Sequence, residues 1–97
     1  MPDVDAAGLA AARCAERLLD AARAAGNARW EAYLAPLPDR LRDAPPAELR
    51  VAARRGRAAF GVKDSIAEDL PWDDAMAFRD ALDLLLKVLA RRDASNS

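Results

Sequence analysis

Carboxylates that could hold a cation gather in the second half of the chain. They are Asp64, Glu68, Asp69, Asp73, Asp74, Asp80 and Asp83. Calcium and magnesium take oxygen ligands of this kind, but the spacing lacks the alternating ligands and the turn glycine of an EF-hand loop. A solvated surface whose acids cap helices accounts for the same residues. We favour that interpretation and predict no metal and no cofactor, with a carboxylate metal site as the lesser alternative.

The residue types needed for nucleophilic catalysis are largely missing. None of the 97 residues is histidine, the commonest general base and the usual partner of a nucleophilic serine or cysteine. The single cysteine, Cys14, belongs to no zinc-binding spacing and cannot form a disulfide within the chain. It fits a small buried position on the first helix. The sequence therefore predicts a protein that is not an enzyme.

Arginines form the densest basic patch. They are Arg50, Arg54, Arg55 and Arg57, with Lys63 shortly after them. One interpretation is a contact with a phosphate backbone or an acidic protein; the other is an exposed helix face that pairs with the acidic segment from Asp64 to Asp83. The formal net charge is -1, whereas nucleic-acid readers usually carry a basic excess with interleaved aromatics. We favour the pairing and keep a nucleic-acid-associated regulator as the alternative.

Helical periodicity dominates the sequence, and no stretch alternates apolar and polar residues as a strand would. We predict a single all-α domain over residues 1–97, frayed at 1–4 and 93–97. Helices are expected at Asp5–Ala25, from an Asn27 cap to near Leu34, at Pro46–Phe60 and at Asp73–Arg92, with short helical turns within Asp39–Asp43 and Val62–Leu70. Gly26 supplies the first helix stop and Pro46 suits a first helical position. The predicted fold is a compact bundle of four to five helices with a long, central C-terminal helix.

The first and last helices differ in how much apolar surface they present. The first carries a narrow stripe through Cys14, Leu18 and Ala22. The last carries an arc over roughly half of its circumference, wider than the ~100° that one core requires. The arc comprises Phe78, Leu82, Leu85 and Leu89, flanked by Ala81, Leu86 and Val88. We expect this helix to be central or to face a partner with an uncovered flank that includes Leu86.

Large residues and one glycine mark expected contacts. Gly56 shares the apolar face of the third helix with Leu49, Ala52, Ala53 and Phe60. Because glycine costs helix propensity, its place there predicts a close contact between helices. Trp30 and Trp72 are most simply core anchors. For Trp72 the alternative is partial exposure at a contact surface, where tryptophan is enriched.

Two segments carry a resemblance to a known group of proteins. The segment 25–34 ends a helix at Gly26 and opens a Trp-centred amphipathic helix, and the segment 59–66 contains a Phe-Gly turn before the long closing helix. Together they resemble a family of short bacterial all-α proteins of unknown function. Some members lie among toxin–immunity genes, so the resemblance implies a small binder whose contact surface is Phe60–Asp64 with Trp72.

These observations predict a small bacterial interaction protein that acts through protein–protein contacts, as a homodimer or with another protein, in an immunity-like or regulatory role. The candidate partner-binding residues are Arg50, Arg54, Arg57, Phe60, Lys63, Asp64, Trp72 and Leu86. We expect neither a membrane contact nor a secretory signal, because no apolar run is long enough and the first residues lack a basic region. The expected compartment is the cytoplasm.

Overall fold

The structure, a computed structural model, describes the backbone of residues 3–96 and the side chains of residues 3–94. Within that range there is no strand, and six helices follow one another: α1 (Val4–Ala24), α2 (Ala28–Leu34), α3 (Leu37–Arg42), α4 (Pro46–Ala58), α5 (Ile66–Asp69) and α6 (Trp72–Asn96). The four longer predicted helices and both short helical turns are present. The all-α fold and the long C-terminal helix are therefore confirmed. The predicted fraying of residues 1, 2 and 97 lies outside the described residues.

Local capping signals set several of the helix ends. Asp3 accepts a hydrogen bond from the Ala6 amide at 2.7 Å, and Asn27 accepts one from the Trp30 amide at 3.2 Å. Each satisfies a backbone donor that the first turn of a helix leaves open. After α1, Gly26 adopts φ +65°, a conformation that glycine takes without steric cost. The start of α2 and the stop of α1 thus follow from neighbouring residues.

Two helices begin earlier than predicted, for identifiable reasons. Helix α2 ends at Leu34 as predicted, but the turn expected within Asp39–Asp43 is helix α3, which begins at Leu37 with Pro38 in its first turn, where the missing amide hydrogen is no loss. The last helix was predicted to begin at Asp73, but α6 begins at Trp72, so Asp73 and Asp74 both lie inside its first turn. There their negative charges interact favourably with the positive end of the helix dipole.

The last helix also runs further than expected. It continues to Asn96, beyond the predicted end at Arg92. The guanidinium of Arg50 on α4 pairs with the carboxylate of Asp93 on α6. This contact holds the extra turn against the rest of the bundle.

The first helix buries a wider face than the predicted stripe. Its buried residues are Ala7, Gly8, Ala11, Ala12, Cys14, Ala15, Leu18, Leu19 and Ala22. The additional burial arises because α1 packs against α6 on one side and against α3 and α2 on another. The bundle therefore has two central helices, α1 and α6, and the small side chains of α1 let its neighbours come close.

Helix α4 packs antiparallel to α6. Arg50 near its beginning reaches Asp93, whereas Arg57 near its end reaches Asp83. Between them, a Cβ atom at Gly56 would lie 2.9 Å from Cδ1 of Leu82. The close contact predicted at Gly56 is confirmed. The antiparallel arrangement places the loop after α4 and the first turn of α6 at the same end of the bundle.

A second close approach joins α1 to α3. A Cβ atom at Gly8 would lie 2.7 Å from the backbone carbonyl oxygen of Leu41, well below the ~3.5 Å at which non-bonded atoms attract. A backbone carbonyl cannot rotate away as a side chain can. Only glycine fits at this point of α1.

We expect Gly8→Ala to lower the free energy of unfolding by about 1–2 kcal/mol. Overpacking costs about 1–3 kcal/mol, here toward the upper end, and alanine recovers at most about 1 kcal/mol of helix propensity. Urea denaturation followed by circular dichroism measures the change. The control is Gly61→Ala, whose Cβ meets only the Lys63 carbonyl at 3.5 Å and which should shift stability by less than about 0.5 kcal/mol. A Gly8→Ala protein as stable as this control would contradict the close approach.

Candidate interaction surface

Two of the three arginines predicted to bind a partner instead join α4 to α6. The Nε of Arg57 donates to the Asp83 carboxylate at 2.8 Å, and Arg50 pairs with Asp93. Arg57 was expected in the acidic pairing that we favoured, and it makes that contact. Both guanidinium groups are thus engaged within the chain rather than free for a partner's carboxylates.

The other arginines of α4 point away from α6. Arg54 is exposed, and its side chain makes no hydrogen bond or ion pair with another described residue. The guanidinium of Arg55 lies 5.0 Å from the centre of the Tyr33 ring, and the Tyr33 hydroxyl donates to the Arg55 carbonyl. Of the predicted basic patch, Arg54 and Arg55 keep their charge toward solvent.

Phe60 is an anchor rather than an exposed contact. It is half-buried, and its ring centre lies 6.2 Å from that of Phe78 in a tilted arrangement. The guanidinium of Arg57 lies 5.7 Å from the same ring. Phe60 therefore closes the end of α4 against α6 and fixes where the following loop leaves the bundle.

The loop between α4 and α5 projects one apolar side chain into solvent. The Ile66 amide donates to the Ala59 carbonyl at 2.9 Å, which closes the loop at its base. Val62 at the tip is 99% exposed, and Lys63 and Asp64 beside it are exposed as well. Asp64 adopts φ 57°, a left-handed conformation that aspartate tolerates better than most residues. The predicted residues Lys63 and Asp64 thus lie at an open surface.

The two tryptophans occupy opposite environments. Trp30 is 3% exposed, and its indole N–H donates to the Asp69 carboxylate at 2.7 Å, which ties α2 to α5. Trp72 is 63% exposed at the first position of α6. The core-anchor interpretation is confirmed for Trp30 and wrong for Trp72. Trp72 has the exposure that its alternative interpretation predicted.

The apolar arc of α6 is covered by its own chain. Phe78, Leu82, Leu85 and Leu89 are buried, while Met76, Leu84 and Leu86 are half-buried and pack against the core. The expectation of an uncovered flank around Leu86 is wrong, because α1, α4 and α5 together surround more of the helix than one face. Leu86 is accordingly not part of an open surface.

One end of the bundle carries two exposed apolar side chains, and we call it the acidic surface. It is formed by residues 61–74, where Val62 and Trp72 stand among five carboxylates and a single lysine. The carboxylates are Asp64, Glu68, Asp69, Asp73 and Asp74. Since α4 and α6 run antiparallel, the Val62 loop and the first turn of α6 share this end. Two exposed apolar side chains in an acidic setting are the outstanding feature of the described surface.

A groove lies on another face, between α3 and α4. Its volume is about 340 Å³, and its lining consists of Arg40, Ala44, Glu48, Val51, Ala52 and Arg55. Val51 is 67% exposed, and two arginines and one glutamate accompany it in the lining. This site was not predicted from the sequence. The available signal was Val51, an apolar residue that falls outside the buried face of α4.

Three acids of the metal-binding alternative are engaged by other side chains. Asp69 accepts the Trp30 indole hydrogen, Asp83 pairs with Arg57, and Asp80 pairs with Arg79 at 3.2 Å. Among residues 3–94 no three histidine, cysteine or acidic side chains come together in a way that could hold a metal ion.

Over the same residues, none of the helices combines the length and apolar character that crossing a membrane requires. The chain matches no protein-family model, no curated protein and no solved structure.

The unequal burial of the tryptophans gives a direct test of this surface. We expect Trp30→Phe to lower the free energy of unfolding by about 1–3 kcal/mol, because it removes a hydrogen bond and buried volume. Trp72→Phe, the matched control, should change it by less than about 0.5 kcal/mol. In the same two proteins acrylamide should quench the remaining indole strongly when Trp72 is left and weakly when Trp30 is left. Equal quenching would contradict the assignment.

Proposed function

We propose that the chain is a small, non-enzymatic interaction protein that binds a protein partner through the acidic surface. The observation that carries the proposal is the exposure of Trp72 and Val62 at one end of the bundle, where they stand among carboxylates. Tryptophan is among the residues that contribute most to binding energy when a partner covers it.

The charge of this surface defines the partner. Five carboxylates against one lysine within residues 61–74 give a field that attracts cationic groups and repels phosphate. The partner is therefore a protein surface with arginines or lysines around an apolar recess. Apolar contact with Trp72 and Val62 would supply affinity, and the acids would supply orientation and speed of encounter.

The nucleic-acid alternative finds less support. A phosphate backbone is bound by free lysine and arginine side chains, and Arg50 and Arg57 are engaged by Asp93 and Asp83. The exposed aromatic, Trp72, lies within the acidic surface rather than among the arginines. Stacking and phosphate contacts would thus fall on different parts of the molecule.

Site-specific photo-crosslinking tests the proposal. A photoreactive amino acid is placed at position 62 or at position 72 of the full chain, in the cells that make the protein. We expect both positions to give an adduct with the same protein, because they belong to one surface. Trp72→Ala in the chain that carries the probe at position 62 should reduce that adduct at least about tenfold, the loss typical of removing a central aromatic contact.

The matched control carries the probe at position 13, where Arg13 is exposed on α1. It should give no adduct with that protein. Adducts of equal yield from positions 13, 62 and 72, or none from 62 and 72, would rule out a contact centred on the acidic surface.

A further inference from the structure

The groove between α3 and α4 has the chemistry that the acidic surface requires of a partner. Its lining combines the apolar Ala44, Val51 and Ala52 with the guanidinium groups of Arg40 and Arg55 and the carboxylate of Glu48. A volume of about 340 Å³ lies at the lower end of sites that hold small molecules, which span about 300–1,000 Å³. It is sufficient for one aromatic side chain. Arginines beside such a recess also favour an aromatic ring through cation–π attraction.

Charge around the groove is opposite to that of the acidic surface. The lining of the groove contains two arginines and one glutamate, whereas residues 61–74 contain five acids and one lysine. Trp72 is followed directly by Asp73 and Asp74, so an indole seated in the groove would bring two carboxylates toward Arg40 and Arg55. One chain therefore presents both halves of a complementary contact.

The two halves cannot meet within one molecule in this structure. Trp72 stands at the end of the bundle where α4 finishes, and it is absent from the lining of the groove. The groove is built from Glu48 to Arg55 of α4 together with Arg40 of α3 and Ala44 of the loop between them. Within one molecule, no other part of the chain that the structure describes covers Trp72 or fills the groove.

We propose that the occupant of the groove is Trp72 of a second copy of this chain, with its neighbouring carboxylates on Arg40 and Arg55 of the groove. The inference rests on the proposed function, since it names the partner of the acidic surface. A reciprocal pair of such contacts closes a two-fold dimer, whereas a single repeated contact would propagate as a ring or filament.

Sedimentation velocity over a range of protein concentrations tests the assembly. The full chain should associate, and added salt should weaken the association because the carboxylate–guanidinium contacts are screened. Trp72→Ala and Val51→Glu should each raise the dissociation constant more than about tenfold. Both residues are exposed, so the folded helical signal should stay unchanged. The control is Ala10→Glu on the exposed side of α1, which adds the same charge and should leave association intact.

Mixing the variants separates this contact from any other mode of self-association. The Trp72→Ala chain keeps its groove, and the Val51→Glu chain keeps its tryptophan. Their mixture should therefore associate more strongly than either variant alone, because one intact contact is restored between unlike chains. A mixture that associates no better than its components would overturn the proposal.

Two further outcomes would also overturn it: a strict monomer at high concentration, or a dimer that both substitutions leave unaffected. If the chain is monomeric while probes at positions 62 and 72 capture a different protein, the second copy is rejected and the proposed function stands. If it is monomeric and those probes capture nothing, both proposals are rejected.

Discussion

Close approach between helices is the constraint on which the rest of this structure depends. Gly8 leaves no room for a side chain beside α3, and Gly56 leaves little beside α6. Alanines, rather than large residues, make up much of the buried face of α1. Such a core reaches native packing density by bringing backbones together instead of filling space with rings. The chain can therefore cover the wide apolar arc of α6 by itself, and Trp72 and Val62 are not required inside.

The charged residues serve two separate purposes. Arg50 and Arg57 reach carboxylates at different heights on α6, which fixes the antiparallel register of α4. Exposed ion pairs of this kind are each worth at most about 1 kcal/mol, so they contribute more to orientation than to stability. Because these arginines pair with Asp93 and Asp83, they leave most acids of residues 61–74 without a cation from α4. The uneven distribution of charge over the surface follows from that pairing.

Most of the fold was predictable from the sequence because its signals act over a few residues. Asn27 caps the helix that follows it, Pro46 opens α4, and Gly26 ends α1. The failures concern contacts between distant segments. The second buried face of α1 exists because α3 passes beside Gly8, and the coverage of Leu86 depends on how many helices surround α6. Neither contact can be predicted from the hydrophobic periodicity of a single helix.

The same limit applies to the exposed side chains. Trp30 and Trp72 are each followed by an acidic residue, yet the indole of Trp30 meets Asp69, which is 39 residues away, whereas Trp72 is 63% exposed. Val51 on α4 is left exposed in the same way. In this helical domain, the exposed apolar side chains are those that close packing does not bury. Such residues become visible only once the partners of all the others are known.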